Sequence, residues 1–228
     1  DEPWLRESTV VNNLAFRASY GIQGNIDKNT SSMVMGNYNN ASILPGVTED
    51  VIVLGSAPNR RLRWEKTHTL NAGFDISVVD NAISLTTDYY YRKGNDLIAL
   101  KMLPLETGFM SYMVNWASMR NQGFEVGLAT RNIATRDFRW TTNFNLAYNE
   151  NTVLQETVPS NQTTPSREGY PVNAIFAYKT AGLDDEGYPL FLTKEGEKVT
   201  AQEFFKLNAA GASTLSAEEQ RDLYTYIG

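Results

Sequence analysis

Residues 69–92 read TLNAGFDISVVDNAISLTTDYYYR, and this stretch decides the fold class. In its first half Leu70, Ala72, Phe74, Ile76 and Val78 alternate with Thr69, Asn71, Gly73, Asp75 and Ser77. Successive side chains of a strand point to opposite faces, so this pattern gives one apolar and one polar face. After a tight connection at Asp80-Asn81, Ile83, Leu85, Thr87, Tyr89 and Tyr91 oppose Ser84, Thr86, Asp88, Tyr90 and Arg92. Two such runs around a short turn predict a β-hairpin.

The same period recurs outward from this hairpin. Leu14, Phe16, Ala18, Tyr20 and Ile22 form one face of a strand at 14–22. Phe124, Val126, Leu128 and Thr130 do so at 122–131, and Trp140, Thr142, Phe144, Leu146 and Tyr148 at 139–148. Five antiparallel strands near 14–22, 69–78, 83–92, 122–131 and 139–148 are thus expected. Short turns alternate with long loops at 23–68, 93–121 and 149–228. Membrane barrels have this asymmetry, whereas compact soluble domains seldom carry several structureless connections beyond about 15 residues. About ten residues at about 3.3 Å each, tilted by about 45°, cover roughly 23 Å, close to the apolar band of a membrane barrel.

With the long loops outside, Tyr20, Tyr89, Tyr91 and Tyr148 fall near the outer strand ends and Trp140 near an inner end, as membrane-interface aromatics do. A soluble β-sandwich shares the alternation, and at this level remains the alternative. The polar stretches at 31–41 and 159–165 read as loops. Thr200 with Glu203 and Ser216 with Glu219 have capping-box spacing, which predicts short helices starting at Ala201 and Ala217.

Composition excludes several classes. Mean hydropathy is −0.37, and no apolar run approaches the roughly 20 residues of a spanning helix. Residues 1–6 lack the parts of a signal peptide, so an export signal is expected upstream or already removed. The chain has no cysteine, which removes disulfides and thiolate chemistry. Its net charge is −6 and its 20 Lys and Arg are scattered, so nucleic acid is not an expected partner.

Several segments together resemble the SusC/RagA family of TonB-dependent outer-membrane transporters. They are LAFRASYGIQGN at 14–25, LRWEKTHTLNAGFD at 62–75, DYYYRKGNDLI at 88–98, NWASMRNQGFEVGL at 115–128 and GYPVNAIFAYKTAGLDDEGYPLF at 169–191. Ala117 departs from the glycine usual in the family. The resemblance implies part of a transmembrane β-barrel of about 22 strands with long extracellular loops and short loop helices. It places the protein in the bacterial outer membrane, in contact with its lipid. It further implies a plug and closing strands lying outside this sequence, TonB engaged through the N-terminal part, and a SusD-like surface lipoprotein over the mouth. The imported nutrient would be an oligosaccharide or a peptide. A passive porin or adhesin barrel shares the wall.

No catalytic constellation is recognisable, and no metal or cofactor is expected. His68, the single histidine, stands without spaced partners and reads as structural. Asp184, Asp185 and Glu186 lack the alternating oxygen ligands of a calcium loop and read as a turn. Asp75 and Asp88 face the polar side, where a watery lumen accounts for them. The Asn-x-Ser/Thr matches at Asn29, Asn40 and Asn161 are incidental to a polar chain. The candidate substrate-binding residues are loop aromatics, Tyr38, Trp64, Phe109, Tyr112 and Trp116, because aromatic faces pack on sugar rings and peptide side chains. Anchoring the loops themselves is their alternative role.

Overall fold

The structure, a computed structural model, describes residues 8, 10–26, 30, 32–34, 36–55, 57–109, 111–156, 158 and 162–228. Asn29, Asn161 and residues 1–6 lie outside the described residues. The chain divides into two units. The first comprises Asp1–Thr30, Leu62–Ile98 and Asn115–Leu154, and the second Ser31–Arg61, Ala99–Val114 and Gln155–Gly228.

The first unit is built on an open antiparallel sheet of five strands in the order β1-β4-β5-β6-β7. These are β1 (Val11–Asn25), β4 (Glu65–Val78), β5 (Ile83–Met102), β6 (Ser111–Ala134) and β7 (Arg139–Gln155). The register fixes the faces. Phe16 pairs with Phe74 and Phe74 with Thr87, while Tyr20 pairs with Leu70 and Leu70 with Tyr91. On the opposite face Arg17 pairs with Gly73 and Gly73 with Asp88. The predicted apolar and polar faces are therefore continuous across the neighbouring strands.

The apolar face lies uncovered. Phe16 is 78% exposed, Phe144 53% and Leu146 48%, and Val153, Phe204 and Leu215 alone are buried apolar residues among those described. In a soluble sandwich this face would meet a second sheet about 10 Å away. Here it stacks only on itself, through Phe16 on Phe74 at 5.0 Å and Phe124 on Tyr148 at 5.6 Å between ring centres. β1 and β7 leave open edges of 15 and 17 residues, the kind of edge a sheet inside a larger barrel offers to its neighbours.

The strands outrun their sequence signal. β5 continues to Met102 and β6 begins at Ser111, so most of the expected loop at 93–121 is paired strand. β7 likewise runs to Gln155, into the expected loop at 149–228. Backbone pairing needs no alternation of side chains, and the alternation ends where the outward face turns polar at Lys93, Gln122 and Glu150. The expected loop at 23–68 contains a hairpin, β2 (Gly36–Leu44) and β3 (Val47–Leu54), so the polar stretch from 36 onwards is strand and carries Asn40. Its signal was Pro45-Gly46: proline presets the first turn position and Gly46 adopts φ +79°.

The turn between β4 and β5 is unusual in lacking glycine, for Val79, Asp80 and Asn81 have φ of 54°, 48° and 57°. Left-handed conformation costs a β-branched residue energy, so neighbours must hold it. The Asn81 N–H donates to Asn12 Oδ1 at 3.1 Å, and Arg131 Nη2 donates to the Asp80 carbonyl at 3.0 Å.

In the second unit, residues 176–226 form β8 (Phe176–Ala177), β9 (Thr180–Leu183), β10 (Pro189–Leu192), β11 (Lys198–Val199), α1 (Ala201–Phe204), α2 (Ala217–Asp222) and β12 (Thr225–Tyr226). Both helices start with complete capping boxes, at Thr200/Glu203 and Ser216/Glu219. Tyr178, Phe191, Phe204 and Phe205 pack ring on ring, with centres 4.9–6.4 Å apart, and Tyr224 lies 4.3 Å from Tyr178.

Candidate functional site

Two groups in the first unit and one in the second carry the chemistry. On the polar face of the sheet, Arg17 Nη2 lies 2.9 Å from Asp88 Oδ1, and its Nε lies 3.4 Å from Asp75 Oδ2. Gly73 sits between them in register, and a Cβ there would run into Arg17 Nη2 at 2.7 Å and into Asp88. Both acids read from the sequence as lumen-facing thus share one cation. One row on, the Tyr90 hydroxyl lies across Gly123 and donates to Asn149 Oδ1 at 2.7 Å. Asn71, Asp88, Tyr90, Arg92, Glu125 and Asn149 together line a polar cleft on this face.

The second group binds together four of the sequence motifs. Asn115 is its centre: its Oδ1 accepts the Arg63 N–H at 2.8 Å, and its Nδ2 donates to the carbonyls of Arg63 and Asp96, both at 2.7 Å. Arg63 forms an ion pair with Asp96, which itself adopts φ +57°. Glu65 accepts from the Ile98 N–H at 2.9 Å through Oε1 and from Asn25 Nδ2 at 2.8 Å through Oε2. Asn25, Arg63, Glu65, Asp96 and Asn115 therefore clasp β1, β4, β5 and β6 at one end of the sheet. All five stand inside the sequence motifs, where nothing local marks their roles.

The loop aromatics do not fall into one unit. Trp64 and Trp116, 59% and 50% exposed, flank the clasped Arg63 and Asn115 in the first unit. The Trp64 ring covers Gly24, where a Cβ would meet Cε3 at 2.9 Å. Tyr38, Phe109 and Tyr112 belong to the second unit. Tyr38 stands opposite Ile52 in the β2–β3 hairpin and is 77% exposed. Phe109 follows the 3-10 turn Leu105–Thr107, its N–H donating to Thr107 Oγ1 at 3.3 Å. Tyr112 joins Ala57 by a parallel bridge, and the Ala57 N–H donates to the Ser111 carbonyl at 2.9 Å.

Tyr20, Tyr89, Tyr91 and Tyr148 lie on the apolar face, and Trp140 occupies the same face at the other end of β7. The Tyr20 hydroxyl lies 2.7 Å from His68 Nδ1, so the single histidine is engaged by a tyrosine of the next strand. Asp184 Oδ1 accepts the N–H groups of Glu186 and Tyr188 at 3.0 and 2.8 Å, which makes that acidic run the turn between β9 and β10. In the aromatic cluster of the second unit, burial and a hydrogen bond with Tyr224 push the Tyr178 phenol up to about 12. The Ser216 N–H and hydroxyl hold the Glu219 carboxyl below its ordinary value.

Residues 8–205 match the family described as TonB dependent receptor-like, beta-barrel. TonB-dependent receptor P39 of Formosa agariphila is 31% identical over 208 residues, which are 88% of this chain and 19% of that protein. TonB-dependent receptor SusC of Bacteroides thetaiotaomicron is 28% identical over 212 residues, 83% of this chain and 21% of that protein. Among solved structures, the RagAB peptide importer in its closed-closed state aligns with 99% of this chain and 24% of its own, at a TM-score of 0.68 and 26% identity. The chain spans about a fifth of the length of the curated relatives it matches. The uncovered apolar face, the polar opposite face and the open edges are thus those of a partial barrel wall, and the chain belongs to the TonB-dependent receptor β-barrel family.

Proposed function

We propose that this chain supplies wall and extracellular loops to an active importer in the bacterial outer membrane. The observation that carries the reading is the two-faced sheet. Its uncovered face is apolar, as lipid requires, and its other face carries paired charges and amides, as a hydrated lumen requires. From Leu70 to Val78 eight steps of about 3.4 Å, tilted by about 40°, span roughly 20 Å, near the height of an apolar membrane band. Tyr20, Tyr89, Tyr91 and Tyr148 then form the outer aromatic girdle, and Trp140 belongs to the inner one.

The cargo is an oligosaccharide or a peptide; Trp64 and Trp116 in the first unit, and Tyr38, Phe109 and Tyr112 in the second, are its candidate loop contacts, and the polar cleft around Asp88 and Glu125 lines its path. A SusD-like lipoprotein closes the mouth, and TonB pulls on the plug of the full-length protein. The importer needs no cofactor and makes or breaks no covalent bond in the cargo. Uptake of labelled oligosaccharides and peptides by cells carrying or lacking the full-length gene tests this. Uptake of one of these classes, abolished without TonB, is the expected result. Uptake that persists without TonB would make the protein a passive porin, and a full-length protein that stays monodisperse without detergent would make it a soluble module.

A further inference from the structure

Acids of the five-stranded sheet gather on its polar face, and cations outnumber acids along one edge of its apolar face. The acids Asp75, Asp88 and Glu125 lie on the polar face, with Arg17 and Arg92. Strand alternation carries the apolar face onward from Tyr20, Leu70 and Tyr91 to the next row, where Ile22 pairs with His68 and His68 with Lys93. Lys66 follows one row further, on the same face. Arg120 stands at the level of Lys93, since each is three residues beyond the Tyr90–Gly123 contact. It shares its face with Phe124 and Tyr148, as its partners Glu150 (3.2 Å) and Thr152 (3.3 Å) show.

Lys66, Lys93 and Arg120 thus form a belt just above the tyrosines, with Glu150 beside Arg120 and the Arg63-paired Asp96 carboxylate within electrostatic reach of Lys66. Glu150 is divided between Arg120 and Gln122. Neither Lys66 nor Lys93 makes a salt bridge among the described residues. The other edge of this face carries Leu14, Val78, Ile83, Thr130, Asn132, Trp140 and Thr142 and no charge. A chain of net charge −6 that puts cations on its apolar face at one edge alone is complementary to an anion held at that depth.

We propose that Lys66, Lys93 and Arg120 bind the phosphate of a lipid headgroup in the leaflet bordering the tyrosines, with acyl chains lying along Phe16, Phe74 and Leu70. The proposal rests on the membrane-spanning reading of the sheet. Each Lys or Arg near an anionic lipid surface contributes about fivefold in binding, so two of them give well over tenfold.

The test uses the full-length protein, purified in non-ionic detergent and immobilised, with labelled monophosphoryl lipid A as probe and its dephosphorylated form as competitor. The wild type is expected to retain the phosphorylated lipid at least tenfold better, and the K66Q/K93Q variant to lose most of that preference while the Arg120–Glu150 pair stays intact. Adding Arg120→Gln removes the remainder. Equal retention of both lipids by the wild type, or an unchanged preference in K66Q/K93Q, overturns the proposal. Displacement by millimolar inorganic phosphate overturns it too, by making the belt a site for the free ion. Heat-modifiable migration of the same samples in gels reports barrel integrity separately, so failure of lipid selection in an intact barrel is distinguishable from failure of the membrane reading.

Discussion

The wall sheet and the aromatic cluster of residues 176–226 hold together by opposite means. The sheet contains Val153 as its single buried apolar residue among those described, and it leaves rings such as Phe16 uncovered. Its order comes from long register, the Asn115 clasp and polar pairs across strands. The cluster has strands of two to four residues and helices of four and six, too short to persist alone. It is ordered by rings packed on Tyr178 and Phe204 and by capped helix starts. In the proposed membrane setting the first architecture takes lipid as its solvent, whereas the second carries its own core.

Truncating a ring should separate the two most sharply. Phe204 is 6% exposed and touches three other rings, so Phe204→Ala is expected to cost about 3–5 kcal/mol and to loosen residues 176–226. Hydrogen exchange would show lost protection there with the wall unchanged. In the sheet, polarity rather than volume should matter. Leu146→Arg, on the apolar face, is expected to destabilise the folded barrel by about 2–4 kcal/mol, whereas Asn145→Arg, one residue away, is tolerated. Denaturant titration of the full-length protein in lipid would read the difference.

What could be read in the sequence follows the same division. Alternation located the middle of each wall strand because one face of the sheet is apolar and the other polar. It fell silent beyond Arg92 and before Gln122, where polar residues stand on both faces, although pairing continues. The β2–β3 hairpin was missed in the reading of 23–68 as a loop, because its signal lies in the turn chemistry of Pro45-Gly46 and not in periodicity. The two capping boxes were legible because a helix start is local. The Asn115 clasp was not, since its bonds join residues 19 to 52 apart in the chain, several of them through backbone groups that any residue possesses.

That clasp supplies a prediction of intermediate size. Asn115→Ala removes three hydrogen bonds, two at the exposed Arg63 backbone and one at the part-buried Asp96 carbonyl, at a cost of about 1–3 kcal/mol. Faster hydrogen exchange at residues 63–66 and 96–98, with residues 176–226 unaffected, would confirm that the sheet and the cluster are held independently.

The smallest effect concerns pH and falls on the cluster alone. An unfolded tyrosine titrates near 10, whereas Tyr178 in the fold titrates at about 12, pushed up by burial and then by Tyr224. The folded state keeps the proton longer, so this contribution is complete below about pH 10 and is lost as pH rises towards about 12. Thermal melting of the full-length protein, followed in residues 176–226, should decline through that window, and Tyr178→Phe should flatten the decline.

In the proposed membrane setting one face of the sheet meets lipid and the other water. Nitroxide labels on cysteines introduced singly along β7 of the full-length protein in lipid test it most directly, through collision with oxygen or with a water-soluble nickel chelate. Labels at 142, 144, 146 and 148 should favour oxygen, and labels at 141, 143, 145 and 147 the chelate, in strict alternation. Equal access of the chelate to both sets would contradict the account.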